Sequence, residues 1–284
     1  MDTIGIVGAG TMGSGIAYVA ASHGHGVILY DVELSLAQRG LDKVRQQLQR
    51  HVEKKRLDRA ELDAALDRIQ LTGELGDMTQ AAVVIEAVPE ELPLKREVFR
   101  ALDRICDSAA TLCSNTSSLS ITALAGATQR PAQVAGLHFF NPAPMLALVE
   151  VVKGDQTSEE TIGRLVALAR RWGKTPVVTR DTPGFIVNRV ARPFYSEALR
   201  LLDHQIADVA TIDRIVTAAG FKMGPFELLD LIGLDVNLAV TNSIYEAYFH
   251  EPRFRPHPVQ QRMVDAGLLG RKAQRGFYEY PAEL

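Results

Sequence analysis

The segment GLHFFNPAPMLALVEVV, residues 136–152, sets a histidine, His138, and a glutamate, Glu150, into two otherwise apolar runs. An isolated charge is costly to bury, so each of these groups needs a partner. Two readings stand: a core histidine satisfied by its surroundings, or an imidazole and a carboxylate that meet each other. The second is the arrangement of a general base whose carboxylate fixes the tautomer and supports the imidazolium. A different group of residues points to phosphate binding. GIVGAGTMGSG places Gly8, Gly10 and Gly13 in G-x-G-x-x-G spacing, with Thr11 and Met12 between the last two. Glycines so spaced serve a tight turn, close approach to a pyrophosphate and helix–strand packing. The helix that follows offers free N–H groups and partial positive charge to phosphate. The next β-like run, GVILYD, ends in Asp31, where a carboxylate accepts from ribose hydroxyls and repels a 2′-phosphate. Together these residues predict NAD rather than NADP as cofactor; the alternative is a structural turn and a solvated aspartate.

The elements that must carry these groups are legible as an alternation. TIGIVG, GVILYD, AAVVIEAV, TLCSNTS, QVAGLHFF, ALVEVV and TPVVT read as strands, with helical patterns between them. LAQRGLDKVRQQLQRHVEKKRLDRAELDAAL reads as one or two long amphipathic helices projecting from the sheet. Such alternation predicts a mostly parallel sheet with helices on both faces. After RDTPGFIVNR the strand pattern stops and the remainder is helical. The expected fold is therefore α/β, a doubly wound Rossmann-type domain over 1–183, followed by an all-α domain over 184–284. Ligands of such sheets bind at the carboxyl ends of the strands. CSNTSSLSI, GLHFFNPAP and ALVEVV supply the candidate groups there.

Composition narrows the function classes. The 284 residues carry a net charge of −3, against the basic excess that a nucleic-acid partner demands. No apolar run reaches membrane-spanning length, and no cationic flank precedes MDTIGIVGAGTMG; the expectation is a cytoplasmic protein with no membrane partner. Cys106 and Cys113 lack metal-ligand spacing, so no metal is expected. Ser117 and Ser118 lie near the candidate histidine in sequence, but no nucleophile elbow surrounds them. The charge run HVEKKRLD reads by itself as a solvated helix face.

Eight blocks occur in order along the chain: GAGTMGSGIA, VIEAVPE, SNTSSLSI, GLHFFNPAP, LVEVV, DTPGFIVNR, MGPFELLDLIGLD and GRKAQRGFYEY. In these blocks the sequence resembles the short-form 3-hydroxyacyl-CoA dehydrogenase family, especially its bacterial 3-hydroxybutyryl-CoA dehydrogenases. The resemblance implies NAD-dependent, reversible oxidation of an (S)-3-hydroxyacyl-CoA to the 3-oxoacyl-CoA. It makes His138 the general base and Glu150 its partner, with Ser117 and Asn188 bonding the substrate oxygen. It sets Glu90, Lys95, Ser117, Asn141 and Lys272 around the cofactor, and Lys54 near the phosphates of the acyl-CoA substrate. It also implies a homodimer formed through the helical domain and an active site in the cleft between domains. Three departures accompany it. Ala147 stands where relatives usually have lysine, Gln274 where a glycine is common, and Gln47 at the apparent place of a serine. Two other readings remain open: a related dehydrogenase of a free hydroxy acid or sugar acid, and a non-catalytic NAD-binding relative.

Overall fold

The structure, a computed structural model, describes residues 2–281. The chain divides into two compact units, Met1–Thr182 and Pro183–Leu284.

The first unit is built on one eight-stranded sheet. Its strands are β1 (Ile4–Val7), β2 (Val27–Tyr30), β3 (Ile69–Thr72), β4 (Val83–Glu86), β5 (Thr111–Ser114), β6 (Val134–Phe139), β7 (Leu148–Lys153) and β8 (Thr175–Arg180), in the order β3-β2-β1-β4-β5-β6-β7-β8. The pairs from β3 to β6 are parallel; β7 runs antiparallel to β6, and β8 runs parallel to β7. β1 and β4 are buried at every position, which is why they read as continuous apolar runs rather than alternations. β3 is the strand the sequence pattern does not announce. Its four residues, IQLT, form one edge of the sheet with Gln70 exposed, too short to display a period.

Among its described residues this unit carries six α-helices: α1 (Thr11–Ser22), α2 (Leu34–Glu53), α3 (Arg59–Leu66), α4 (Leu92–Ile105), α5 (Ile121–Ala125) and α6 (Glu159–Arg171). The expectation that the charged helices project from the sheet is corrected here. Ala37, Leu41, Val44 and Leu48 form a buried stripe on α2, at the spacing of one helix face. They share a core cluster with α1, with Leu62 and Leu66 of α3, and with Ile4, Val27 and Leu29 of the sheet. A turn at Lys55, with φ 54°, separates the two helices. Asp58 then caps α3 by accepting from the backbone N–H of Ala60 at 2.7 Å, satisfying a donor the helix leaves unpaired.

The second unit is helical: α7 (Val187–Asp203), α8 (Val209–Ala218), α9 (Pro225–Ile232), α10 (Leu234–Ala247) and α11 (Pro258–Asp265). Its core gathers Tyr195, Leu199, Ile212, Phe226, Leu229 and Leu234. Two buried aspartates organise it. Asp213 accepts from the N–H groups of Phe226 and Glu227, both at 2.9 Å, at the start of α9. Asp230 accepts from the N–H groups of Phe277 and Tyr278 at 2.9 Å and from the Tyr280 hydroxyl at 3.0 Å. These bonds fold GRKAQRGFYEY back onto α9, and a Cβ at Gly276 would lie 2.1 Å from the Asp230 carboxylate. Among the described residues, no helix is long and apolar enough to cross a membrane.

Candidate active site

β1, β4, β5 and β6 lie side by side and point the same way, so their carboxyl ends form one edge. The register aligns Val7 with Glu86, Glu86 with Ser114, and Ser114 with Gly136. The glycine loop leaves β1 at that edge. Gly8 has φ +99°, a conformation that disfavours any residue with a Cβ. A Cβ at Gly13 would meet the Gly8 carbonyl oxygen at 1.8 Å, while a Cβ at Gly10 would meet nothing within 4 Å. Gly13 therefore permits the tight turn, and the space over Gly10 is open. No side chain caps the N-terminus of α1, which suits its first N–H groups to a phosphate. At the end of β2 the Asp31 carboxylate accepts from Ala9 N–H and from Val32 N–H, each at 2.8 Å. It is thereby fixed beside the loop. A cleft of about 170 Å³ opens there, walled by Gly10, Thr11 and Asp31 on one side and by Arg39, Lys43 and Gln47 of α2 on the other. The cradle and the oriented carboxylate fit a dinucleotide.

Gly40 was not singled out by the sequence, yet it sets this geometry. A Cβ there would lie 2.0 Å from the Ala9 carbonyl oxygen and 2.4 Å from Ser14 Oγ. α2 can approach the loop so closely only because residue 40 has no side chain. Its sequence signal was a lone glycine inside a helical pattern, which otherwise costs helix stability.

Three places further along the edge, His138 and Glu150 face each other. They are register partners across the antiparallel β6–β7 pair, so their side chains leave the sheet on the same face. Leu137, Phe139, Val149 and Val151, which alternate with them, enter the core cluster. His138 Nδ1 and Glu150 Oε2 are 2.7 Å apart, and the two residues are only 5% and 1% exposed. A carboxylate only accepts, so Nδ1 carries the hydrogen and Nε2 is the basic nitrogen. The Phe140 ring packs against the imidazole at a centroid distance of 4.5 Å.

Between the loop and this pair lies a buried polar network. Lys95 of α4 donates to Glu86 Oε1 at 2.6 Å and to the Val88 carbonyl at 3.0 Å, and it pairs with Glu90 at 3.2 Å. Three partners match the three donors of an ammonium group. Glu86 also accepts from Ser114 Oγ at 2.6 Å, and burial pushes its carboxyl above the usual range against the opposing pull of Lys95. Glu90 accepts from Thr116 Oγ1 at 2.5 Å and from the Ser117 N–H at 3.1 Å. The turn that carries Ser117 is thus tied, through Glu90 and Lys95, to β4. Glu86, Ser114 and Thr116 were absent from the sequence-based candidates, because a polar residue ending an apolar strand looks like a solvated terminus.

The other candidates lie as follows. Asn141 is exposed just beyond β6. Lys54 caps the C-terminus of α2 and opens an exposed basic turn with Lys55 and Arg56. Asn188 is in the first turn of α7. Lys272 lies near the C-terminus of the second unit, where it bonds Asp235 at 2.6 Å.

Comparison with known proteins identifies the family of both units. Residues 3–182 match the NAD binding domain of 3-hydroxyacyl-CoA dehydrogenase, and residues 184–280 match its C-terminal domain. The chain is 47% identical over 284 residues to a protein of Escherichia coli K12 named 3-hydroxyadipyl-CoA dehydrogenase; the match covers 100% of this chain and 60% of that protein's length. It is 42% identical over 276 residues to a probable 3-hydroxybutyryl-CoA dehydrogenase of Bacillus subtilis, covering 97% and 96% of the two chains. The crystal structure of (S)-3-hydroxybutyryl-CoA dehydrogenase from Ralstonia eutropha superposes with a TM-score of 0.93 at 40% identity, covering 99% of each chain. With both of its units matched over nearly their whole length, the chain belongs to the 3-hydroxyacyl-CoA dehydrogenase family, and its first unit is that family's NAD-binding domain.

Proposed function

We propose that the protein interconverts an (S)-3-hydroxyacyl-CoA and the corresponding 3-oxoacyl-CoA with NAD, 3-hydroxybutyryl-CoA being the short-chain form of the substrate. The observation that carries this reading is the buried His138–Glu150 pair, at the same sheet edge as a glycine loop and an oriented Asp31. NAD, when bound, supplies the acceptor for the hydride that leaves C3. His138 Nε2 takes the proton of the 3-hydroxyl as that hydride departs, so the oxygen becomes a carbonyl. Glu150 holds the imidazole in the reactive tautomer and stabilises the imidazolium. Ser117, positioned by Glu90, and Asn188 are the proposed donors to the substrate oxygen. Gly8, Gly10, Thr11, Met12, Gly13 and Asp31 hold the dinucleotide. Lys95, whose donors already meet three protein oxygens, serves it by fixing Glu90. Lys54, in its basic turn, is the proposed contact for the coenzyme A phosphates. The relatives at 39–47% identity carry names that differ in the acyl group and agree on an acyl-CoA, which favours a thioester over a free acid.

We further propose a homodimer formed through the helical unit. Val190 is 69% and Phe221 56% exposed; Val190 lies one turn before Phe194 on α7, and Phe194 stacks on Phe221 at 5.2 Å. These residues make an apolar face suited to a second copy.

The test is consumption of NADH with acetoacetyl-CoA and with free acetoacetate. Turnover of the thioester with negligible turnover of the acid is expected. Preference for the free acid would favour the hydroxy-acid reading, and no turnover of either the non-catalytic one.

A further inference from the structure

The loop that carries Ser117 leaves β5 and leads into α5, and side-chain oxygens hold its backbone. The Thr116 N–H donates to Ser114 Oγ at 3.1 Å and the Ser117 N–H to Glu90 Oε1 at 3.1 Å. The N–H groups of Ser118 and Leu119 both donate to Thr116 Oγ1, at 3.3 and 2.9 Å. At the far end of the loop the Asp181 carboxylate accepts from Ser120 Oγ at 2.8 Å and from the N–H groups of Ile121 and Thr122 at 3.0 and 2.7 Å.

Two paths meet at Thr116. Its backbone reaches Lys95 by way of Ser114 Oγ and Glu86. Its hydroxyl reaches the same ammonium by way of Glu90, which accepts from Thr116 Oγ1 on Oε1 and pairs with Lys95 through Oε2. Thr116, Ser114, Glu86, Lys95 and Glu90 thus form a closed ring, and it closes at the residue before Ser117. A hydroxyl offers one donor and two acceptor lone pairs, and Thr116 Oγ1 uses all three. The residue is only 2% exposed, and its β-branch leaves the side chain few rotamers. Filling the space does not require the hydroxyl, because valine has nearly the same shape. The hydroxyl fixes the path of the chain on both sides of Ser117: Glu90 takes the Ser117 N–H, and Thr116 Oγ1 takes the next two.

We propose that Thr116 is a positioning residue for the dehydrogenase reaction, its hydroxyl holding Ser117 in the orientation that bonds the substrate oxygen. This rests on the role given to Ser117 above and adds a residue that acts through it.

A double-mutant cycle on kcat for acetoacetyl-CoA reduction tests it, with Thr116→Val, Ser117→Ala and the two together. Thr116→Val should lower kcat by about tenfold, the scale of one hydrogen bond to a charged group, while the number of NADH molecules bound per chain is unchanged. Thr116→Ser, which keeps the hydroxyl, should recover most of the loss. In the Ser117→Ala background Thr116→Val should cost little more, since the group it positions is gone. Thr116→Ala supplies the same cycle if the valine variant does not fold. Asp181→Asn is the control at the other end of the loop: it should lower the urea midpoint and leave kcat within about threefold of wild type. A Thr116→Val protein with wild-type kcat overturns the proposal. So does a loss of the same factor with and without Ser117, or an equal loss in Asp181→Asn, because the stability of the loop would then account for it. Undiminished kcat in Ser117→Ala contradicts the role of Ser117 itself, a separate result that leaves Thr116 nothing to position.

Discussion

At the scale of single residues, the site depends on polar groups that are buried and yet paired. Lys95 holds two carboxylates and a carbonyl, so its removal strands Glu86 without a cation. Lys95→Met should lower unfolding free energy by about 3–5 kcal/mol, the cost of breaking a buried pair from one side. Urea unfolding measures it. The pH dependence has a definite sign. Burial already raises the Glu86 carboxyl, with Lys95 opposing it; without Lys95 its proton is held to still higher pH. A carboxyl raised in the folded state favours folding at low pH, and that benefit is lost as pH rises through the folded value. The deficit of Lys95→Met should therefore be smaller near about pH 5 than near about pH 8; a deficit independent of pH would show that Glu86 does not titrate as the buried partner. His138 and Glu150 could be suspected from sequence because each interrupts an apolar run. Glu86 could not, since a glutamate closing VVIE looks like an ordinary solvated end, and Lys95, which the resemblance set around the cofactor, showed no sign in the sequence of its bond to Glu86. Their pairing needs the loop between β4 and α4, which carries no periodic signal.

At the scale of elements, α2 is the part the sequence described least well. Its charged background concealed that Gly40 seats it against the glycine loop and that Arg39 and Lys43 wall the cleft containing Asp31. Asp31 is followed by the uncharged Val32, so the sequence alone points to an arginine introduced at position 32, together with loss of the aspartate, as the route to NADP. With two cations already facing the cleft, Asp31→Ser alone should raise the kcat/KM ratio of NADPH to NADH by about tenfold or more. An unchanged ratio would mean that Arg39 and Lys43 do not reach a 2′-phosphate. A second element-level effect concerns the C-terminal turn. Gln274 has φ 60°, the left-handed region that costs a residue with a Cβ roughly 1–2 kcal/mol. The departure from a common glycine thus carries strain, and Gln274→Gly should raise stability by about 1 kcal/mol, read from the urea midpoint at constant slope. The strands, by contrast, were mostly legible, because central strands buried on both faces keep their apolar runs; the edge strand β3 had no such run to show.

At the scale of the whole molecule, the order of strands in the first unit places the glycine loop, the polar network and the His138–Glu150 pair along one sheet edge. The alternation of strands and helices conveyed that order, while the apolar face of the helical unit has no signature distinguishing an interface from a core. If that face joins two copies, the protein should sediment at twice the mass of the 31.1 kDa chain, and Phe221→Glu should shift it toward the single chain. A wild-type protein that sediments as one chain at micromolar concentration would remove the dimer from the account. The central claim is that the buried pair performs the proton transfer, and the most direct measurement is kcat for acetoacetyl-CoA reduction in His138→Gln, with NADH binding measured on the same protein by fluorescence titration. The account predicts that kcat falls by about 10²–10⁴, the range for losing a general acid–base, while NADH affinity stays within about threefold because its loop and Asp31 are untouched. A His138→Gln protein that keeps kcat within a few-fold of wild type would contradict the account.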